Sequence, residues 1–295
     1  MKKNILFSLP GNQALTEILT KQLAAELGIA EIRFFPDGES YIRIDSNVRN
    51  KTAILIDTLN EPNCKIVPLL FMAQTLKELG AAKIGLVTPY LPYMRQDKRF
   101  KAGEGITSKL FAQLLSNYID SLITIDPHLH RIHHLSEIYT VPNISTMHAT
   151  ERIAQWIEHH VSNPVLIGPD EESRQWVSEI AGYNNLSFVV GKKQRIGDRQ
   201  VSLSLPEIDN KGQSAVVVDD VIATGISMLE VLKQLQTQGF KNSICIAVHA
   251  LFNKETEHQL LQVGAEKIVT CNTIVHPSNQ IDISDLIVQG IIESC

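Results

Sequence analysis

The amino-acid sequence predicts an α/β protein of two similar domains, each a mostly parallel sheet flanked by helices. Three observations predict it. Short apolar runs of strand length alternate with segments whose apolar residues recur at helical spacing, the pattern of parallel strands joined by crossover helices. The alternation repeats on a coarser scale: "AILIDT", a loop, a helix to Leu79 and "KIGLV" parallel "AVVVDD", a loop, a helix to Phe240 and "SICIAV". A chain of 295 residues with 44% hydrophobic content can bury two cores.

Taken in order, the start "MKKNILFSLPGNQ" imitates a signal peptide, but its apolar run from Ile5 to Leu9 is stopped by Pro10-Gly11. That run is too short for a secretory hydrophobic region and reads as a first strand. "AILIDT" (Ala53 to Thr58), "KIGLVTPY" (Lys83 to Tyr90) and "SLITID" (Ser121 to Asp126) follow as buried strands. The domain boundary falls near Thr146 to Thr150, between "VPNIST" and the helix containing "ERIAQWI", which gives spans of 1–147 and 148–295. In the second span, "VLIGPD" (Val165 to Asp170) and "AVVVDD" (Ala215 to Asp220) are strands. The latter leads into a helix with apolar Met228, Leu229, Val231, Leu232 and Leu235. Between them Gly191 and Gly197 bracket the cationic run of "GKKQRIGD", predicting a loop that is mobile when empty and closes on polyphosphate.

Composition narrows the partners. A formal charge of -5 and a pI near 6.1 lack the basic footprint of general nucleic-acid binding. No apolar run approaches the roughly 18 residues of a membrane span. Cys64, Cys245, Cys271 and Cys295 lie far apart with no CxxC, so neither a zinc site nor a disulfide framework is indicated. The expectation is a cytoplasmic protein of small or metal-chelated ligands, without nucleic-acid or membrane partners.

Ligands of open α/β sheets bind at the carboxyl ends of strands, which makes strand-ending residues the candidates. Asp126 and His128 end one strand, Asp170 another, and Asp219 and Asp220 a third. Such sparse oxygen and imidazole donors suit Mg²⁺, which keeps several waters or phosphate oxygens, better than zinc. Singly, Asp126 or Asp170 also fits a cap or turn, and His130, His133 and His134 fit a turn or helix beyond the ligand. After Asp220, Ala223, Thr224, Gly225, Ile226 and Ser227 pass into a helix, so backbone N–H groups and the two hydroxyls converge near a helix N-terminus that favours phosphate. Two carboxylates cannot face that phosphate without repulsion. They are expected to hold sugar hydroxyls or a hydrated cation beside it, which makes the ligand a phosphorylated sugar.

This stretch resembles the phosphoribosyl diphosphate motif of type I phosphoribosyltransferases and of ribose-phosphate diphosphokinases. Further segments turn the resemblance toward the diphosphokinases. "FFPDGESYIRI" is similar to the family's ATP-base loop, which implies ATP binding by Phe35, Asp37, Gly38 and Glu39. "PYMRQDKR" is similar to its RQD segment, which places Arg95, Gln96 and Asp97 beside the ATP phosphates and base. "DPHLHRI" resembles the segment whose His, here His128, orients ATP and binds Mg²⁺, and "GPD" the one with the second metal carboxylate, here Asp170. "GKKQRIGD" resembles the catalytic loop, with Lys193 and Arg195 as its Lys-x-Arg pair. Alone, "DGE" is a frequent turn and "KKQR" an ordinary basic turn; order and spacing along the chain carry the inference.

The resemblance implies phosphoribosyltransferase-like domains, with ATP-side segments in 1–147 and the ribose 5-phosphate and catalytic loops in 148–295. It implies transfer of the β,γ-diphosphoryl group of ATP to the 1-hydroxyl of ribose 5-phosphate, with Mg²⁺ and release of AMP. Asp219, Asp220, Ala223, Thr224, Gly225, Ile226 and Ser227 would form the ribose 5-phosphate site. A homo-oligomer is implied, dimer, tetramer or hexamer, in which a neighbouring subunit can complete the ATP site. The chain departs from the family in having Ala223 for a frequent acid, Ile226 for a glycine and Ser227 for a threonine, and in Glu171, Glu172 and Ser173 after "GPD". Two other readings stand beside it. A phosphoribosyltransferase would leave the "DGE" and "RQD" segments without a task, and a non-catalytic regulatory homologue would be expected to lose the Lys-x-Arg pair.

Overall fold

A computed structural model describes residues 3–196, 200–209 and 212–295, with the side chains of 193–202 outside that description. The chain forms two units. The first is 1–148 together with 284–295, and the second is 149–283.

The first unit contains β1 (Asn4–Ser8), α1 (Gln13–Gln22), β2 (Glu26–Leu27), β3 (Ala30–Phe34), β4 (Ser40–Ile44), β5 (Thr52–Ile56), α2 (Pro62–Glu78), β6 (Lys83–Val87), α3 (Thr107–Ser116), β7 (Ser121–Ile125) and β8 (Asn143–Met147). A six-stranded sheet runs β2-β1-β5-β6-β7-β8, every neighbouring pair parallel. Its strands are apolar on both faces because helices cover both, as β7 shows with all five residues buried. Leu69, Met72, Ala73 and Leu76 of α2 and Phe111, Ala112 and Leu115 of α3 pack with Ile5, Phe7, Leu55, Ile84 and Leu86. Their spacing of three and four is the helical stripe that the sequence displays. The other face meets α1 and the helix Ser284–Ser294, which packs on β7, β8 and α1.

That helix corrects the expected division. The boundary near residue 148 coincides with the contact boundary, but the span 148–295 loses 284–295 to the first unit. Leu286, Ile287 and Ile291 are buried there, and Ser294 shares a 2.5 Å hydroxyl bond with Ser145 of β8.

The second unit contains α4 (Thr150–His160), β9 (Pro164–Gly168), α5 (Arg174–Asn184), β10 (Ser187–Val190), β11 (Lys192–Ile196), β12 (Gln200–Ser204), β13 (Ser214–Ile222), α6 (Ile226–Thr237), β14 (Ser243–Ala250), α7 (Lys254–Gln262), β15 (Ala265–Cys271) and β16 (Asn279–Ile281); α8 is the helix Ser284–Ser294 described above. Its sheet, β10-β9-β13-β14-β15-β16, is again parallel throughout and has the same order as the first when strands are counted along the chain. In both units a two-stranded antiparallel hairpin, β3–β4 or β11–β12, is inserted at the same point, after the edge strand and before the central one. Met228, Val231, Leu232 and Leu235 of α6 and Leu260 of α7 cover one face of the second sheet. The sequence repeat is therefore a repeat of topology.

Candidate functional site

In the second unit the strand order reverses at β9 and β13, and open α/β sheets bind ligands in the crevice at such a reversal. β13 pairs with β9 only as far as Val217, opposite Ile167, but stays paired with β14 as far as Ile222. The strand outlasts the expected end at Asp220 by two residues, and Asp219 and Asp220 lie on its one-sided stretch.

Asp220 is buried, and its backbone N–H donates to Asp219 Oδ1 at 3.0 Å. Asp219 is partly exposed. Desolvation, then repulsion from Asp220 and Asp170, pushes its carboxyl well above the usual carboxylate range. Asp170, buried just beyond β9, caps the short turn Glu171–Ser173: Oδ1 accepts from Glu172 N at 2.9 Å, and Ser173 Oγ donates to the Asp170 carbonyl at 2.6 Å. The capping reading of Asp170 is thus met without removing it from the crevice. Asp219, repelled by two neighbouring carboxyl groups, is one of three oxygen donors of the kind a hard divalent cation would stabilise.

The loop after β13 turns on Gly225, which has φ +73° and stands at the N-cap of α6, its carbonyl accepting from Leu229 N at 2.8 Å. A side chain there would collide with Thr256 of α7 as well as strain the backbone. Thr224 and Ile226 are exposed and Ser227 is partly so, beside the first amides of α6, which lack intrahelical acceptors. The Ile226 side chain is exposed.

The β11–β12 hairpin starts beside the end of β9 and packs against α6. Gly191 N donates to the Gly168 carbonyl at 2.9 Å, and a Cβ on Gly191 would strike the Pro169 carbonyl oxygen, so only glycine brings β11 this close to the end of β9. The expected loop over "KKQRI" is a strand in this structure, with Lys193 opposite Leu203 and Arg195 opposite Val201. The side chains of Lys193 and Arg195, and all of 197–199, lie outside the described residues.

In the first unit, Phe35 to Glu39 form the turn of β3–β4. Phe35 N donates to the Glu39 carbonyl at 2.8 Å, and Asp37 Oδ1 accepts from Glu39 N at 3.1 Å. "DGE" is a turn, and one that leaves Phe35, Asp37, Gly38 and Glu39 all exposed. The Arg33 guanidinium lies over the rings of Tyr41 at 4.0 Å and Phe35 at 4.7 Å, bracing the aromatic edge of the tip.

Arg95, Gln96 and Asp97 follow Tyr93, whose φ of +65° reverses the chain. The Tyr93 ring packs on Phe111 with centroids 4.8 Å apart and its hydroxyl donates to Asn63. Gln96 is tied to the start of α3 by Thr107 Oγ1 at 3.1 Å, while Arg95 is exposed. Asp126 is paired with a histidine. At φ +35°, its fully buried carboxylate meets His148 Nδ1 at 2.7 Å. His128 is partly exposed, its ring edge-on to His130 at 4.1 Å. Glu137 accepts from the backbone of His133 and His134, which belong to a turn.

Sequence reasoning missed two features. Arg131 binds Asp97 across 34 positions, a pairing with no local signal. The repeat of "AILIDT" and "AVVVDD" did carry a signal for the second: strand register makes Asp57 the counterpart of Asp219, since Thr52 pairs with Asn4 as Ser214 pairs with Pro164. Asp57 is buried. It accepts a long 3.4 Å bond from Asn12 Nδ2, and its other oxygen has no partner among the described residues. Desolvation pushes it up to about 7, against the pull of nearby Lys65 and the Asn12 bond. Lys65 donates to the Thr58 carbonyl and Asn60 Oδ1, and α2 begins at Pro62. Asp57 is thus closed in, unlike the partly exposed Asp219.

Comparison with known proteins identifies the family of the chain. Residues 4–118 match the family described as the N-terminal domain of ribose phosphate pyrophosphokinase, and residues 134–286 match the phosphoribosyl transferase domain. A protein named ribose-phosphate pyrophosphokinase from Saccharolobus solfataricus is 32% identical over 265 residues, covering 88% of this chain and 89% of its own. One of the same name from Sulfolobus acidocaldarius is 31% identical over 278 residues, covering 92% and 94%. The crystal structure of phosphoribosylpyrophosphate synthetase from Mycobacterium smegmatis superposes with a TM-score of 0.86 over 99% of this chain and 98% of its own; at 24% identity this likeness concerns the fold.

Proposed function

The chain belongs to the ribose-phosphate pyrophosphokinase family, and from that premise we propose how its residues carry out the reaction: transfer of the β,γ-diphosphoryl group of ATP to the 1-hydroxyl of ribose 5-phosphate, giving phosphoribosyl diphosphate and AMP. The observation that carries the assignment of residues is the one-sided stretch of β13, where Asp219 and Asp220 open a crevice directly before the glycine-led N-terminus of α6.

In this reading Thr224, Gly225 and Ser227 receive the 5-phosphate at the leading amides of α6, with Ala223 and Ile226 shaping the loop. Asp219 and Asp220 accept from the ribose hydroxyls or hold their hydrated metal. Arg95 and Gln96 face the ATP phosphates and base, and Phe35, Asp37, Gly38 and Glu39 the adenine, where the exposed hairpin tip allows a neighbouring copy to complete the site. His128 and Asp170 are each kept as Mg²⁺-holding residues, and the ion would neutralise polyphosphate charge when bound. Lys193 and Arg195 stabilise charge as it builds on the β-phosphoryl group. Diphosphoryl transfer rests on positioning and electrostatics, so no general base is assigned. A phosphoribosyltransferase would have no use for the first unit's matching segments, and the retained Lys193 and Arg195 weigh against a regulatory homologue.

The test is stoichiometry. Purified protein with ATP, Mg²⁺ and ribose 5-phosphate should give AMP and phosphoribosyl diphosphate in equal amounts with no nucleobase present. Release of ADP with a singly phosphorylated sugar would point to a sugar kinase instead.

A further inference from the structure

We propose that Arg131 is a positioning residue for the nucleotide, acting through Asp97; the inference rests on the functional reading above for what the nucleotide is. Asp97 stands beside Arg95 and Gln96, yet its side chain is 6% exposed and both its oxygens are engaged. Arg131 Nη1 donates to Oδ1 at 2.9 Å and to Oδ2 at 3.1 Å, and the backbone N–H of Arg131 donates to Oδ2 at 3.3 Å. Three contacts from one residue on one carboxylate make a cross-link and not a passing surface pair. The Arg131 guanidinium also lies 6.0 Å from the ring of Phe100, which Lys98 approaches at 5.2 Å.

The cross-link joins two segments that the chain itself leaves far apart. One carries Arg95 and Gln96, its near end already fixed by the left-handed Tyr93 and its far end by Gln96 on Thr107. The other carries His128, three residues before Arg131. Tied together, the groups that face base, phosphates and metal hold one geometry before ATP arrives.

Charge adds a second consequence. A carboxylate next to Arg95 would repel a polyphosphate, and Arg131 covers it. In this proposal Asp97 acts on the nucleotide through its anchor to Arg131.

Repulsion gives the inference a signature that a merely structural contact lacks. In Arg131→Ala the uncovered Asp97 faces ATP, so KM for ATP should rise about tenfold and more than kcat falls, with KM for ribose 5-phosphate unchanged. Adding Asp97→Asn should then relieve the defect, so that the double variant binds ATP more tightly than Arg131→Ala alone. Arg131→Lys, which keeps the charge, should lie between wild type and Arg131→Ala. Each variant is compared by steady-state kinetics, by ATP calorimetry and by thermal melts without ligand. A change below twofold in ATP affinity for Arg131→Ala, or no relief by Asp97→Asn, would overturn the clamp. Should Arg131→Ala fail to fold, Arg131→Lys against Arg131→Lys with Asp97→Asn makes the same comparison. If wild-type protein forms no AMP in response to ribose 5-phosphate, the functional reading fails, while the calorimetry still decides whether Arg131 governs ATP binding.

Discussion

Asp57 and Asp219 stand at the same register position of two similar sheets, yet they meet different neighbours. Asp219 faces two more acids in an open crevice, whereas Asp57 is closed in with Asn12 and Lys65 near it. Because burial lifts the folded Asp57 from its ordinary 3.8 to about 7, the folded state takes up a proton that the unfolded chain releases. Stability should therefore fall as pH rises from about 4 through about 7 and be level above, with a full span of roughly 4 kcal/mol at most. Asp57→Asn removes that term, so its melting temperature should exceed wild type at pH 8, by up to about 10 °C, and show a flatter pH slope. Parallel slopes for the two proteins would contradict the account. At Lys193 and Arg195 the expectation is kinetic. Alanine at either should cost on the order of 10²- to 10³-fold in kcat with substrate binding nearly kept, while Lys192→Ala is mild. Turnover and binding for the three variants, with circular dichroism for folding, decide it. Near-normal turnover at both would favour the regulatory homologue. Asp219, Asp220 and the Thr224 to Ser227 loop were legible because β-branched residues, acids and a glycine-hydroxyl turn sit adjacent in sequence. Arg131 was not, because its meaning depends on a partner 34 residues away.

The same contrast holds for elements. Strands such as β7 announce themselves by continuous apolar runs, since both faces are covered. The β11–β12 hairpin was read as a loop because "KKQRI" is too cationic to show a buried strand, and the apolar signal lies on β12, where Leu203 packs into the second core beside α6. The turn into α6 is where one atom matters most. Gly225→Ala meets both a left-handed backbone and Thr256, and should destabilise the protein by about 1–3 kcal/mol. By shifting the leading amides of α6 it should raise KM for ribose 5-phosphate well beyond any change in KM for ATP. Melting curves and the two KM values test this; an equal effect on both substrates would detach Gly225 from the phosphate cradle.

At the scale of the molecule, the repeat of topology was visible in the sequence but the ownership of α8 was not, because sequence proximity places it with the second unit. Leu286, Ile287 and Ile291 are each nearly or fully buried on the first sheet, and burying one such side chain stabilises by roughly 1.5–3 kcal/mol. A chain ending at Ile283 should therefore lose hydrogen-exchange protection in β7 and β8 while β13 and β14 keep theirs. Uniform loss in both sheets would refute the division. α8 also sets an order on synthesis. A ribosome makes 149–283 before it makes the helix that closes the first sheet. At roughly 5–20 residues per second, the apolar face of β7 and β8 waits on the order of ten seconds for its cover. The earlier-made half is thus the later to finish, and the nascent chain needs protection at its amino-terminal half while its carboxyl-terminal half is already folding.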